Sequence, residues 1–255
     1  MASKLSISKW RDYARLLMKD PMLAPTYIIK GKEGLLRHCL SRLTEISVPS
    51  IHQEFVDAGI VLQQTLARAD SVPYLGWVRS GEILYVAVRI MKPSLVVETG
   101  VAAGLSTTCI LAALDRNGQG ELHSIDLPDY EKTYFPSLGL DPVAILPKNR
   151  APGFLVPEEL SARWHLHLGD TRKILPSLLG NLDQIALFLH DSEHTFDTMM
   201  FEYDTVWPHL PPGGLLLSDD VDWNDAFSSF CLQHHQRPVY FWNSGLAGVA
   251  KSRLP

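Results

Sequence analysis

Three short stretches of this chain are almost wholly apolar, and segments with helical spacing follow the first two of them. The apolar stretches are residues 95–97, 185–189 and 215–217. Runs of this length and composition are typical of strands buried on both faces of a parallel sheet. The alternation of such strands with helical segments predicts βαβ units, and therefore a Rossmann-like, doubly wound α/β fold.

Four further segments complete the predicted sheet. Residues 121–125 and 163–168 have the character of strands. Residues 238–242 and 246–251 flank Asn243-Ser244-Gly245, which favours a turn, and so predict an antiparallel hairpin at the sheet edge. The expected architecture is a mostly parallel seven-stranded sheet with a C-terminal antiparallel hairpin.

The first 80 residues differ from the rest because they carry helical patterns without intervening strands. Apolar residues recur at helical spacing over 8–19, 30–46 and 51–69. We expect residues 1–80 to form an N-terminal helical cap or extension and residues 81–255 to form the main domain. The cap could cover the mouth of that domain or mediate contacts in a homodimer.

A proline-rich segment interrupts the βαβ pattern after the second strand. Residues 127–155 contain five prolines and two glycines, which disfavours a regular element. We interpret residues 127–160 as a loop insertion near an active site.

Charge and composition exclude several classes of partner. The net charge of -5 and the pI near 6.0 argue against a sequence-independent nucleic-acid surface. The N-terminus lacks the apolar run of a signal peptide, and no apolar run approaches the length of a membrane span. The three cysteines are widely separated and suggest no disulfide framework. The expectation is a cytoplasmic protein with neither nucleic-acid nor membrane partners.

Acidic residues occur at or just past the ends of the predicted strands. They are Glu98, Asp126, Asp170, Asp191, Asp219 and Asp220. Ligands bind beyond the carboxyl ends of parallel strands, so this pattern predicts a binding edge. Any single member could instead be a helix N-cap. The first loop, Glu98 to Gly104, has the spacing ExGxxxG and not GxGxxG, and its acid would repel a phosphate.

With its glycine loop and strand-end acids, the chain resembles class I S-adenosylmethionine-dependent methyltransferases over residues 85–253. In that family the loop approaches the methionine and ribose portions of the cofactor, the acid after the second strand binds the ribose hydroxyls, and a later turn lies beside adenine. The resemblance implies S-adenosylmethionine as cofactor, bound by Glu98, Thr99, Gly100, Gly104, Ser106, Asp126, Gly169 and Asp170.

The second half, from Phe188 to His194 and from Trp207 to Asp220, resembles metal-dependent small-molecule O-methyltransferases. The similarity is to macrolide-sugar O-methyltransferases and the cephalosporin hydroxylase-like group, and more distantly to catechol and caffeoyl-CoA O-methyltransferases. It implies catalytic roles for His194, as general base, and Asp191. It also implies Mg²⁺ held by Asp191, Asp219 and Asp220, although Asp219 stands where the sugar enzymes have Glu. The expected acceptor is a small hydroxylated molecule, a sugar or aromatic moiety of a secondary metabolite.

Two alternatives stay open at this point, and a third is disfavoured. The chain could be a metal-independent N- or carboxyl-methyltransferase, or a catalytically inactive cofactor-binding or interaction protein. Nicotinamide-dependent chemistry is disfavoured by the missing third glycine.

His194 could instead cap the helix that follows it, while His165 and His167 are expected at the edge of the core. Candidate aromatic residues of an acceptor pocket are Trp77, Tyr134, Phe135 and Trp223.

Overall fold

The computed structural model describes most of the chain. The described residues are 23–45, 51–69, 80–128, 132–133, 143–144, 146, 149–241 and 244–252. The helix predicted over 8–19 lies outside these residues, as do Trp77, Tyr134 and Phe135.

A seven-stranded sheet forms the centre of the molecule. Its strands are β1 Leu95–Thr99, β2 Glu121–Asp126, β5 Trp164–Leu168, β6 Leu187–His190, β7 Leu215–Ser218, β8 Val239–Tyr240 and β9 Ala247–Ala250. The order is β5-β2-β1-β6-β7-β9-β8. The first five in this order are parallel, whereas β9 runs antiparallel to both β7 and β8. The predicted fold is confirmed, and the last strand of the chain lies inside the sheet, between β7 and β8.

Helices cover both faces of this sheet. They are α1 Leu23–Thr44, α2 His52–Ala69, α3 Gly81–Met91, α4 Leu105–Asn117, α5 Thr171–Leu179, α6 Phe196–Val206 and α7 Ala226–Gln233, with 3-10 turns at Glu158–Arg163 and Trp207–His209. Sequence analysis did not predict α7. The pattern predicted a helix start at Lys30, and the backbone of α1 indeed has a non-helical residue at Gly31, with φ 67° and ψ -169°.

Successive strand residues belong to opposite hydrophobic clusters, as a doubly wound sheet requires. Val96, Leu187 and Leu189 pack on the side of α1 to α4. Val97 and Phe188 pack on the other side, with residues of α5, α6 and α7. The near-continuous apolar character of these strands therefore reflects burial on both faces.

The described N-terminal helices share the first of these clusters with the sheet. Leu36, Leu40 and Leu43 of α1 are buried in it together with Val86 of α3. An added Cβ at Gly248 of β9 would lie 2.9 Å from Leu43, so α1 packs closely on the C-terminal strands. The boundary at residue 80 and the homodimer stay predictions. No helix among the described residues has both the length and the apolar character needed to cross a bilayer.

The segment predicted as a loop insertion contains some regular structure. Its two short strands, β3 Lys132–Thr133 and β4 Val143–Ala144, pair antiparallel. The end of the segment forms the 3-10 turn Glu158–Arg163, so β5 begins at Trp164, one residue later than predicted.

Candidate active site

The glycine loop after β1 is held between the ends of β2 and β6. The Gly100 N–H donates to the Ile125 carbonyl at 2.9 Å. Gly100 has φ +84°, and an added Cβ would lie 1.9 Å from the Asp191 carbonyl oxygen. Only glycine satisfies both the backbone angle and this close approach. The loop is consequently in direct contact with the backbone at Asp191.

Glu98 lies within β1, and its carboxylate points into the protein and not toward the open edge. The side chain is fully buried and accepts hydrogen bonds from Ser106 at 2.7 Å and from Thr107 and Ser124 at 2.8 Å. Burial raises the pKa of Glu98 to about 7, against the opposing effect of these three hydroxyls. Glu98 and Ser106 therefore stabilise the loop through hydrogen bonds on its buried side. A contact between Glu98 and the cofactor stays a prediction.

Asp126 at the end of β2 joins the glycine loop directly. Its Oδ2 accepts the N–H groups of Val101 at 2.7 Å and Ala102 at 3.0 Å. Burial raises its pKa, while these two hydrogen bonds act to lower it. Both hydrogen bonds from described residues go to Oδ2, which leaves Oδ1 as the atom suited to accept from a ligand hydroxyl.

The turn after β5 continues the same edge. The Gly169 N–H donates to the Asp126 carbonyl at 2.8 Å, so this turn lies beside the end of β2. Asp170 is the N-cap of α5, since its Oδ1 accepts the Arg172 N–H at 2.9 Å. Asp170 is therefore a helix N-cap, the alternative considered above. A contact between Asp170 and the cofactor stays a prediction.

The end of the proline-rich segment is bonded to the glycine loop. Gly153 N–H donates to the Ala102 carbonyl at 2.8 Å, and Leu155 N–H donates to the Ala103 carbonyl at 3.0 Å. An added Cβ at Gly104 would lie 2.8 Å from Gly153 Cα. The sequence predicted a loop near the active site, and residues 153–155 lie against the glycine loop.

A second group of residues lies beyond β6 and β7, next to the glycine loop. His194 Nε2 is 3.9 Å from Asp191 Oδ1 and 3.6 Å from Asp220 Oδ2. An added Cβ at Gly245 would lie 3.3 Å from Asp220 Oδ1 and 3.6 Å from Asp219 Oδ1. The structure thus brings together Asp191, His194 and Asp220, with Asp219 and Asp220 both beside Gly245.

Electrostatic repulsion is strong in this group. Burial, and then the carboxylates of Asp219, Glu98 and Asp220, raise the pKa of Asp191 well above its usual range. Asp220 adopts φ 46°, a left-handed conformation that is uncommon outside glycine. A cluster of carboxylates in a strained turn is the arrangement that a cation or a proton stabilises.

His194 is held as a neutral ring. Burial, and then the nearby His190, lower its pKa to about 3. Its Nδ1 is buried and has no hydrogen-bond partner among the described residues, and Nε2 is the nitrogen that faces the carboxylates. The Trp223 ring lies 5.2 Å from the His194 ring, and Trp223 is 46% exposed. The N-cap of α6 is Thr195, whose hydroxyl accepts the Thr198 N–H, so His194 is not the cap.

Sequence analysis missed a buried network that supports this group. Glu202 of α6 accepts hydrogen bonds from Thr99 at 2.5 Å and Ser192 at 2.8 Å, and its Oε2 lies 2.6 Å from His190 Nδ1. Burial would raise the pKa of Glu202, but His190 and these hydrogen bonds lower it. The sequence did carry a signal for Glu202, because this residue lies at helical spacing from Met199 and Val206 on the buried face of α6.

The carboxylate oxygens of the three predicted metal ligands suit Mg²⁺ chemically. The distances between them are longer than direct binding of one ion by all three requires. Carboxylate oxygens are the donors that a hard cation prefers. Among the described residues, however, the only three His, Cys, Asp or Glu ligand atoms within 4.8 Å of one another belong to Glu121, His123 and His165. Asp191, Asp219 and Asp220 would have to approach one another for all three to bind one ion directly.

Comparisons with known proteins agree with this geometry. The sequence family described as "Methyltransferase domain" matches residues 97–221, which run from β1 to just past β7. No curated protein matches the sequence.

Solved structures share the fold at low sequence identity. The O-methyltransferase of tomaymycin synthesis from Streptomyces achromogenes, in complex with S-adenosylmethionine, has a TM-score of 0.51 at 14% identity, covering 75% of this chain and 90% of that one. An O-methyltransferase from Bacillus cereus, in complex with S-adenosylhomocysteine, has a TM-score of 0.50 at 13% identity, covering 85% and 97%. Residues 97–221 thus match a family of methyltransferase domains, and the chain shares the fold of these two O-methyltransferases.

Proposed function

We propose that this protein transfers the methyl group of S-adenosylmethionine to an oxygen atom of a small hydroxylated molecule. The observation that carries the proposal is the contact between Gly100 and the backbone at Asp191. It places the loop suited to the cofactor directly beside the cluster of His194 and the aspartates. Both O-methyltransferases compared above were solved with this cofactor or its product.

The loop side would hold the cofactor. Asp126 Oδ1 would accept from the ribose hydroxyls while Oδ2 keeps the loop in place through Val101 and Ala102. The backbone of Gly100 and Gly104 gives the cofactor room to approach. S-adenosylmethionine supplies an electrophilic methyl group, so the main task of the protein is to align the acceptor oxygen with it.

The acidic side would hold the acceptor. A base acting on the acceptor hydroxyl would use His194 Nε2, because Nδ1 is buried. The exposed face of Trp223 beside this ring suits the flat face of a sugar or an aromatic group. Mg²⁺ held by Asp191, Asp219 and Asp220 would lower the pKa of that hydroxyl.

A metal-independent methyltransferase is the second candidate, and the spacing of the aspartates favours it. Alignment by the loop and proton transfer to His194 need no cation. The two candidates differ in one measurable respect, which is the effect of a chelator on turnover.

The test is transfer of labelled methyl from S-adenosylmethionine into a panel of sugar and phenolic acceptors, with Mg²⁺ or with a chelator. We expect transfer that the chelator abolishes, and a loss of about 100-fold or more in His194→Gln, the usual contribution of a general base. Transfer that survives chelation would select the metal-independent candidate. Cofactor binding without transfer to any acceptor would favour the inactive binding protein.

A further inference from the structure

A cluster of three histidines and one glutamate lies at the sheet edge on β2 and β5, and its members Glu121, His123 and His165 stand in the first halves of these strands, away from the acidic strand ends. Glu121 and His123 project from β2, and His165 and His167 project from the neighbouring edge strand β5. His123 and His165 are paired directly across the two strands. Because strand residues two apart share a face, all four side chains lie on the same face of the sheet. We name these four residues the edge histidine cluster.

The distances within the cluster are short. His165 Nε2 lies 3.3 Å from Glu121 Oε2, and His123 Nδ1 lies 3.1 Å from His167 Nε2. One ligand atom from each of Glu121, His123 and His165 lies within 4.8 Å of the other two. Two ligands bound about 2.0 to 2.1 Å from one tetrahedral ion are about 3.3 Å apart, so the His165 to Glu121 separation already matches.

The surroundings leave room for an ion. A cleft of about 330 Å³ adjoins the cluster and is lined by Glu121, His123, Asn181 and Asp183 among others. The His165 and Glu121 side chains are 44% and 58% exposed, so both can adjust their rotamers. The His123 and His165 rings are stacked, with centroids 4.5 Å apart. Rotation of the exposed His165 ring is the movement needed to turn both nitrogen lone pairs toward one point.

We propose that the edge histidine cluster is a binding site for a transition-metal dication of the Zn²⁺ class, with Glu121, His123 and His165 as ligands. Two imidazoles and a carboxylate form a donor set suited to Zn²⁺ and unlike the all-oxygen set that Mg²⁺ takes. His123 binds through Nε2, and its Nδ1–H donates to His167 Nε2. That outer hydrogen bond is the usual way in which a metal-bound histidine is oriented.

The bound ion has a structural consequence. β5 is the edge of the sheet and is joined to the rest of it by β2. An ion shared by Glu121 and His123 of β2 and His165 of β5 clamps the edge strand in register. The clamp stabilises the folded protein according to the occupancy of the site, because the ligands come together only in that state.

The test is calorimetric titration of the tag-free full-length protein with ZnCl₂ in the presence of excess Mg²⁺, together with thermal unfolding. We expect binding that His165→Ala weakens at least about tenfold, and a rise of Tm with Zn²⁺ that this variant loses. His165→Gln serves as a second variant if His165→Ala fails to fold. Asp191→Asn should keep the Zn²⁺ binding, which separates this site from the aspartates.

The matched control is His234→Ala. His234 is also a surface histidine near a carboxylate, with Nε2 3.2 Å from Asp204 Oδ1, but it lies outside the cluster. We expect this variant to bind Zn²⁺ as the wild type does. Unchanged binding in both His165 variants, equal weakening in His234→Ala, or no binding by the wild type would overturn the proposal.

Discussion

Glu98 contributes a pH dependence of stability whose direction follows from its burial. Burial raises its pKa from 4.5 to about 7. Between pH 4.5 and about 7, the Glu98 carboxyl is therefore mostly protonated in the folded state and mostly ionised in the unfolded chain. The stability that this difference provides is complete below pH 4.5, falls as the pH rises to about 7, and is absent above that.

We predict that Glu98→Gln removes this pH dependence. Between these pH values the free energy of unfolding of the wild type should fall by up to about 3 kcal/mol because of Glu98 alone. The glutamine amide is neutral and titrates in neither state. Urea unfolding at pH 4.5 to 8 measures the difference, with the exposed Glu159→Gln as a control that should follow the wild type. Parallel profiles for the wild type and Glu98→Gln would contradict the prediction.

The acids show at residue level what a sequence can and cannot predict. The identity of Glu98, Asp126 and Asp170 as strand-end acids could be read from the pattern. The long-range partners of Glu98 and Asp126 could not, because the hydroxyl of Ser124 and the N–H groups of Val101 and Ala102 approach only when β1 and β2 pair. The N-cap role of Asp170 is local and was among the expected alternatives. The same applies to His165, which was expected at the core edge and proved to face Glu121.

Between elements, the glycine loop packs directly against the backbone just after β6. Gly100→Ala combines a left-handed φ with a Cβ placed 1.9 Å from the Asp191 carbonyl. Gly118→Ala is the matched control, since Gly118 has φ +70° but no atom within 4 Å of an added Cβ. We predict a loss of about 1 kcal/mol for Gly118→Ala and at least about 2 kcal/mol more for Gly100→Ala. Equal losses in chemical denaturation would show that the loop and β6 are not in tight contact.

Helix α6 is tied to β1 and β6 through Glu202. Removing this carboxylate in Glu202→Ala leaves His190 and Thr99 buried without their partner. We expect a loss of about 3 kcal/mol or more in the free energy of unfolding. Asp204→Ala on the same helix breaks only an exposed pair with His234 and should cost less than about 1 kcal/mol. Similar values for the two variants, measured by urea unfolding, would contradict this account.

Helix prediction succeeded where the apolar period was regular and failed where it was short. The bounds of α2, His52–Ala69, agree with the predicted 51–69 to within one residue. Helix α7 has eight residues, follows an irregular turn, and was missed because Phe227, Phe230 and Cys231 are too few to define a period. The proline content of residues 127–155 gave no sign that residues 153–155 bond to the glycine loop.

For the whole molecule, the order of the sheet determines which residues meet. The alternation of strands and helices was sufficient to predict a doubly wound sheet, since parallel strands need crossover connections. That order places β1 between β2 and β6, so residues far apart in the chain share one edge. The proposed acceptor side is formed by Trp223 and His194, whose mutual geometry no local pattern encodes.

The most direct test of the central claim is calorimetric titration with S-adenosylhomocysteine, the product form of the proposed cofactor. We predict binding at one site per chain, weakened about tenfold or more by Asp126→Asn, because one carboxylate oxygen then becomes an N–H donor toward the ribose or the loop. Asp170→Asn keeps an N-cap and should change affinity less. A wild-type protein that is folded by circular dichroism yet shows no binding would contradict the account.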